Sequence, residues 1–310
     1  MANRLAPWLL AALAVSGCAT TERMVYVSTS FHEPANEGLR FIYSEDGCHW
    51  TAIPGTWLTP EVGTQKVMRD PSIVLGPDGT YHLVWTSSWR DDYGFGYSSS
   101  RDLIHWTAQR HIVVMEDYDR RTGNVWAPEV FYDDDTREFS IAWSSAIPGR
   151  FDGSHRQYYT TTRDFVTFSP ARLFYDPGYN SIDGAVLKRG KGDYVLAVKD
   201  NRKPGYSHIH VAFGPTAVGP WGNESEPFTP EWAEGPTWAK VGDAYLIYYD
   251  LYRQFKYGAV RTQDFVTFTD ITDTIRVPEK HKHGTIFMAP ERVVNRLIRA
   301  GGSGLRTVRL

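Results

Sequence analysis

The feature that most limits what this chain can fold into is a short element that comes five times. Ser44-Glu45-Asp46-Gly47-Cys48-His49-Trp50-Thr51 is echoed by Ser99-Ser100-Arg101-Asp102-Leu103-Ile104-His105-Trp106-Thr107 and by Thr161-Thr162-Arg163-Asp164-Phe165-Val166-Thr167-Phe168-Ser169. Gly214-Pro215-Thr216-Ala217-Val218-Gly219-Pro220-Trp221 is a weaker copy, and Arg261-Thr262-Gln263-Asp264-Phe265-Val266-Thr267-Phe268-Thr269 is the last. From Asp46 through Asp102, Asp164 and Thr216 to Asp264 the steps are 56, 62, 52 and 48 residues. A period near fifty means stacked supersecondary units, because one unit cannot bury its apolar face alone.

Each unit carries one strand pattern. Residues 73–75, 81–85, 94–98 and a short piece near Trp106 are predicted to make four strands, and 130–132, 139–143 and 157–161 begin the next set. The pattern returns at 185–188, 194–198 and 209–213, then at 238–241, 244–249 and 257–261, while helical periodicity is confined to 291–298. Between 75 and 81, Gly76-Pro77-Asp78-Gly79 has the residues of a tight reversal. Four-strand units in radial repetition are a β-propeller, so the fold class is all-β. The first copy lacks an inner hairpin before it, and Gly284-Thr285-Ile286-Phe287-Met288 lacks outer strands after it. Pairing the N-terminal strands with that C-terminal strand closes a five-bladed ring over 26–300, leaving a loose tail from Gly301 to 310.

Ahead of the repeats, Arg4 precedes an apolar stretch, 5–15, too short to span a bilayer. Val15-Ser16-Gly17-Cys18 resembles a bacterial lipoprotein cleavage box, which implies a signal peptide over 1–17, a lipid on Cys18 and a tether over 18–25. The expected location is the bacterial cell envelope, periplasmic or surface, with membrane contact only through that lipid. Of two cysteines Cys48 alone would remain, so no intrachain disulfide is expected. A formal net charge of -3 without a basic run argues against nucleic acid as partner. A monomer is expected.

The innermost strand of each blade lines the central channel and starts at one mouth. Five starts carry Asp70 in Arg69-Asp70-Pro71, then Trp126-Ala127-Pro128-Glu129, Ser181-Ile182-Asp183-Gly184, Glu234-Gly235-Pro236 and His283-Gly284. Pro71 biases Asp70 toward an extended backbone, so its carboxylate is held at a strand mouth. One such acid would be a turn residue; an ionisable group at five equivalent positions is not explained by turns. Converging carboxylates suit glycosidic bond hydrolysis, in which one protonated acid gives a proton to the leaving oxygen. A second, ionised carboxylate then activates water or attacks. A third nearby pushes one pKa up.

Arg69-Asp70-Pro71-Ser72-Ile73, Trp126-Ala127-Pro128-Glu129, Asn180-Ser181-Ile182-Asp183 and Trp232-Ala233-Glu234-Gly235-Pro236 together resemble the motif set of glycoside hydrolase family 43. That family contains five-bladed propellers acting as arabinofuranosidases, xylosidases, arabinanases and galactofuranosidases. The resemblance runs from about Val25 to Thr285. It implies Asp70 as general base, Asp183 as the group that tunes and orients, and Glu234 as general acid. It also implies inversion of configuration, with about 6.5–9.5 Å between Asp70 and Glu234 for a water. Gly184 stands where many relatives have Pro, which would hold Asp183 less rigidly. Glu129 stands where several have Asp and is expected behind the sugar contact Trp126.

His283 matches a channel histidine that in many family members binds calcium directly or through water. A hydrogen-bonded structural histidine explains it equally, and no dense carboxylate cage is visible. No cofactor is expected for the chemistry itself, and a structural Ca2+ in the channel is the one metal considered. Arg253 resembles an arginine that family members aim at the sugar; Arg69 and Trp85 are further substrate-contact candidates. For Trp85 and Trp89, packing between blades is the other reading. Lys199-Asp200, Tyr252 and the loops 118–124 and 148–156 are expected at the rim, favouring exo attack on a terminal sugar.

The implied substrate is an oligo- or polysaccharide with terminal α-L-arabinofuranose, β-D-galactofuranose or xylose. Two alternatives remain: a retaining β-fructosidase-like hydrolase, which would want an Asn-Asp-Pro nucleophile absent from the first blade, and a non-catalytic carbohydrate-binding propeller. The second would have no need of three convergent acids, whose desolvation costs stability.

Overall fold

The structure is a computed structural model, and it describes residues 22–302. The expected signal peptide over 1–17 and the expected lipid on Cys18 fall outside those residues. Five antiparallel sheets form the ring. In chain order the strands are β1 (Met24–Ser30), β2 (Arg40–Ser44), β3 (Trp50–Ile53), β4 (Arg69–Leu75), β5 (Tyr81–Thr86), β6 (Gly94–Ser100) and β7 (Arg110–Val113). There follow β8 (Trp126–Asp133), β9 (Glu138–Ala146), β10 (His155–Thr162), β11 (Arg172–Tyr175), β12 (Ser181–Gly190), β13 (Asp193–Asp200) and β14 (Ile209–Gly214). The last are β15 (Ala233–Val241), β16 (Ala244–Leu251), β17 (Lys256–Thr262), β18 (Thr269–Asp270) and β19 (Ile286–Pro290), before helix α1 (Glu291–Gly302).

The closing blade has the order β19-β1-β2-β3, with Met24 opposite Pro290 and Ser28 opposite Ile286. The ends of the described chain are thus hydrogen-bonded into one sheet, as the offset of the repeats requires. β1 starts at Met24, inside the segment read as tether, because residues 24 and 25 already pair with β19. α1 continues through Gly302, so the expected tail does not begin at Gly301. A side chain at Gly301 would strike the Pro54 carbonyl, and its absence lets the last helical turn lie against that loop. Among the described residues no helix is long and apolar enough to cross a membrane.

The fivefold element is a turn at the outer end of each blade's third strand. Asp102 Oδ1 accepts the Ile104 and His105 backbone N–H groups, at 2.9 and 2.8 Å, while Ser100 Oγ takes that of Leu103 at 2.8 Å. Asp46, Asp164 and Asp264 repeat the arrangement, and in the weak copy the Thr216 hydroxyl takes the Val218 N–H. The residue after each aspartate is left-handed, with φ of 76° at Gly47, 64° at Leu103, 54° at Phe165 and 61° at Phe265. A bulky residue there costs about 1–2 kcal/mol. Burial of Leu103, Phe165 and Phe265 between blades offsets that, since each buried side chain of this size is worth about 1.5–3 kcal/mol. The expected strand near Trp106 is only a single bridge to Ser100; the fourth strand of that blade is β7, beyond the turn.

Candidate active site

The inner strands β4, β8, β12 and β15 all begin with the same defect. Pairing with the neighbouring strand skips from Arg69 to Ser72, from Trp126 to Glu129, from Ile182 to Ala185 and from Glu234 to Thr237. In each bulge one residue is left-handed: Asp70 (φ 50°), Ala127 (45°), Asp183 (55°) and Gly235 (58°). Such bulges re-aim side chains at strand ends. Aspartate and glycine tolerate that conformation best, which favours them there.

The bulge also corrects one expectation. Asp70 and Asp183 occupy the left-handed position, Glu234 precedes it, and Glu129 stands two residues deeper along its strand. The acids share a rim but not a register. His283, just before β19, rests its ring where a side chain on Gly235 would be, 2.4 Å from the added carbon. Gly235 is therefore required by the fifth blade's histidine.

At the mouth Asp70 Oδ1 lies 3.1 Å from His283 Nδ1, and Oδ2 accepts the Thr86 hydroxyl at 2.8 Å. The same hydroxyl oxygen accepts the Ala127 N–H at 2.7 Å, tying two blades to one carboxylate. Burial alone would raise the Asp70 pKa. The charge and hydrogen bond of His283, the charge of Arg69 and the Thr86 hydroxyl outweigh it and bring the pKa down to about 2. Burial likewise opposes the charge on His283, but Asp70, with Asp183 and Glu234 adding, lifts its pKa to about 9.

Asp183 Oδ2 accepts the Gly235 N–H at 3.1 Å, and its own N–H reaches Ser144 Oγ at 3.2 Å. Those bonds hold Asp183 despite the missing proline. Gly184 is needed instead for close packing, because an added carbon would meet Gln157 Oε1 at 1.9 Å. Burial raises the Asp183 pKa; His283 and Lys199 oppose the rise, while Glu234 and Asp70 add to it. Glu234 Oε2 accepts a hydrogen bond of 3.0 Å from Lys199 Nζ, whose side chain is only 2% exposed. Burial opposes the lysine's charge, but Glu234, Asp183 and Tyr252 outweigh it, and its pKa is raised. Asp70, Asp183, Glu234, Lys199 and His283 thus form one electrostatic cluster contributed by four blades.

Other candidates divide. Glu129 accepts the Thr285 hydroxyl at 3.2 Å, and burial, against Ser72, His283 and Thr285, lifts its pKa to about 7. It braces the channel behind the mouth. Trp126 stacks on His155 at 4.8 Å and donates its Nε1–H to the Trp89 carbonyl at 2.8 Å. Trp89 lies edge-on to it and 42% exposed. Arg69 spans Trp89, 3.9 Å from the ring, and is bonded to Glu33. Arg253 lies 3.4 Å over the Trp232 ring. Trp85 is not a sugar contact: it is fully buried in the core shared by the closing and first full blades, its ring pressed on Gly96.

The loops 118–124 and 148–156 both join strand ends on the mouth face and meet through Arg150 and Asp119, 3.9 Å apart. Residues missed in the sequence include Thr86, Lys282, whose Nζ bonds Asp250 Oδ2 at 3.1 Å across from Glu234, and the role, though not the position, of Lys199. A lysine ending the apolar run Tyr194-Val195-Leu196-Ala197-Val198 was the available signal.

The donor set does not suit a protein-built calcium cage. Among the described residues no group of three or more His, Cys, Asp or Glu could hold a metal ion. His283 offers nitrogen where calcium takes oxygen, and its Nδ1 is turned to Asp70.

A family model described as a probable glycosyl hydrolase domain, related to glycoside hydrolase family 43, matches residues 22–291. An α-L-arabinofuranosidase of Bifidobacterium longum subsp. longum is 31% identical over 105 residues, which are 30% of this chain but only 10% of that protein. Among solved structures, an α-L-arabinofuranosidase from Lactobacillus brevis is 20% identical with a TM-score of 0.52, covering 66% of this chain and 72% of that one. An exo-β-1,3-galactanase from Clostridium thermocellum is 17% identical with a TM-score of 0.54, covering 68% and 50%. At those identities the structural likeness speaks for the fold.

Proposed function

This chain belongs to the glycosyl hydrolase domains related to glycoside hydrolase family 43. From that premise we propose that it is an exo-acting, inverting glycosidase releasing a terminal furanose, α-L-arabinofuranose or β-D-galactofuranose, or xylose from polysaccharide side chains. The observation that carries the reading is the meeting of Asp70, Asp183 and Glu234, from three blades, in one cluster with His283 and Lys199.

Asp70, its pKa drawn down to about 2, is ionised at any working pH and takes a proton from the attacking water. Glu234, on the inner strand three blades further along the chain, gives a proton to the leaving oxygen. Asp183 stands electrostatically between them and, through its bond to Gly235, fixes the backbone next to Glu234. The relative named as an α-L-arabinofuranosidase, 31% identical over 105 residues, supports the substrate class. The envelope location and the lipid on Cys18 are part of the proposal; Cys18→Ala should move the protein from the membrane to the soluble fraction. A panel of nitrophenyl furanosides and pyranosides of arabinose, galactose and xylose tests the activity. Turnover of a furanoside or xyloside is expected, and a panel left wholly uncleaved overturns the reading.

A further inference from the structure

The hairpin joining β16 to β17 and the loop leading to β19 enclose a cavity of about 530 Å3 on the mouth face. Its walls include Asp250, Phe255, Lys256, Glu279, Lys280 and Lys282. Asp250 stands directly opposite Glu234 in the β15–β16 pairing. The cavity therefore lies beside the proposed proton donor, and the leaving group is the part of a substrate that a general acid faces.

Three features of the cavity are unexplained by folding. Phe255, at the hairpin tip, is 79% exposed and held at a φ of 54°, a conformation that is strained for a bulky residue. Lys280 is also left-handed, with φ 71°. Strain retained at exposed positions points to a use. The charges, finally, do not cancel. Lys282 Nζ bonds Asp250 Oδ2 at 3.1 Å, so that buried pair is balanced. His281, with Nδ1 2.9 Å from Ser30 Oγ, is kept neutral by burial, its pKa lowered to about 3. Lys256 and Lys280 then share the cavity wall with one carboxylate, Glu279, and the Glu37 carboxylate that also feels Lys280 is paired with Arg40, leaving one positive charge over.

We infer that this cavity is the leaving-side subsite and takes a sugar residue bearing one carboxylate, a uronic acid, stacked on Phe255 and held by Lys256 and Lys280. An exposed aromatic ring offers the apolar face of a pyranose the contact it lacks in water, and two ammonium groups offer donors to a carboxylate. The inference rests on the proposed glycosidase activity and extends it to what the terminal sugar is attached to.

The test uses two disaccharides with the same terminal sugar, the one released best in the nitrophenyl panel, joined either to a neutral hexose or to the matching hexuronic acid. At low salt the wild-type protein should favour the uronide in kcat/KM by about fivefold, the upper end of the range for one exposed ion pair. The ratio should fall toward one in the Lys256→Ala/Lys280→Ala variant, and in about 0.5 M salt, where screening is short-ranged. Because a ratio is read, loss of folded protein cancels. Cleavage of both compounds with equal efficiency, or a preference that survives the double substitution, overturns the subsite and leaves the activity standing. Cleavage of neither, by a protein that releases the same sugar from its nitrophenyl glycoside, likewise overturns the subsite, while the activity itself falls only if the nitrophenyl panel is left uncleaved.

Discussion

The outer turns and the inner mouth of each blade both use carboxylates at strand ends, and they use them for opposite purposes. At the outer turns Asp46, Asp102, Asp164 and Asp264 accept backbone N–H groups two and three residues ahead. Every partner is local, so the same sequence is copied from blade to blade. At the mouth Asp70, Asp183 and Glu234 take His283, Thr86, Gly235 and Lys199 as partners, all on other strands or other blades. The bulge recurs there, but no two of its acids have the same partners. Repetition of an acid marks a structural use in this fold, while divergence at a shared position marks the site.

Substitutions that swap the two regions should show the largest contrast. Asp70→Asn and Glu234→Gln should each lower kcat by about 10²–10⁴, the range for a lost general acid or base, with the thermal midpoint little changed. Asp102→Asn should leave kcat within about twofold, since its partners are the N–H groups of its own turn. Comparable losses of kcat at the two places would erase the distinction.

Lys199→Met comes next. Glu234 would lose the ammonium 3.0 Å away, and kcat should drop about tenfold with KM nearly constant, because a charge-assisted hydrogen bond is worth about 1.5–3 kcal/mol. A rise in KM alone would place Lys199 in substrate binding instead.

The Asp70–His283 pair gives a smaller, pH-dependent effect. With the His283 pKa raised to about 9, its stabilisation is complete below the unfolded value near 6.5 and disappears as pH rises through about 9. With the Asp70 pKa lowered to about 2, its share is present above about 3.9 and disappears as pH falls through about 2. The wild-type advantage in thermal midpoint over His283→Gln should therefore be flat between about pH 4 and 6.5 and shrink toward pH 9. A difference independent of pH would show that the histidine acts by packing alone.

The smallest effect belongs to the outer turns. Asp102→Ala should cost about 1 kcal/mol, as loss of a cap does, seen as a modest fall in denaturant midpoint at unchanged activity.

Blade number and closure were legible because they follow from spacing, and the local Asp turns keep that spacing visible. The fourth strand of the first full blade was misplaced to Trp106 because the turn and the strand share an aromatic pattern, and only pairing shows β7 further on. The mouth acids were legible as a set. Their register was not, because a bulge leaves no mark in sequence beyond an Asp-Pro, Ala-Pro, Asp-Gly or Gly-Pro pair that any turn could carry. Trp85 and Trp126 are the same residue type, but Trp85 sits inside a blade's second strand and is fully buried, while Trp126 opens an inner strand and is half-buried against His155. Lys199 was hidden for a related reason: its partner Glu234 is 35 residues away on the next blade.

The central claim is that Asp70 and Glu234 act from opposite sides of one sugar with a water between them. Proton NMR of the first-formed product reads this directly, before mutarotation mixes the anomers. The account predicts a hemiacetal of inverted configuration from the first turnovers; a product that keeps the substrate's configuration would contradict it.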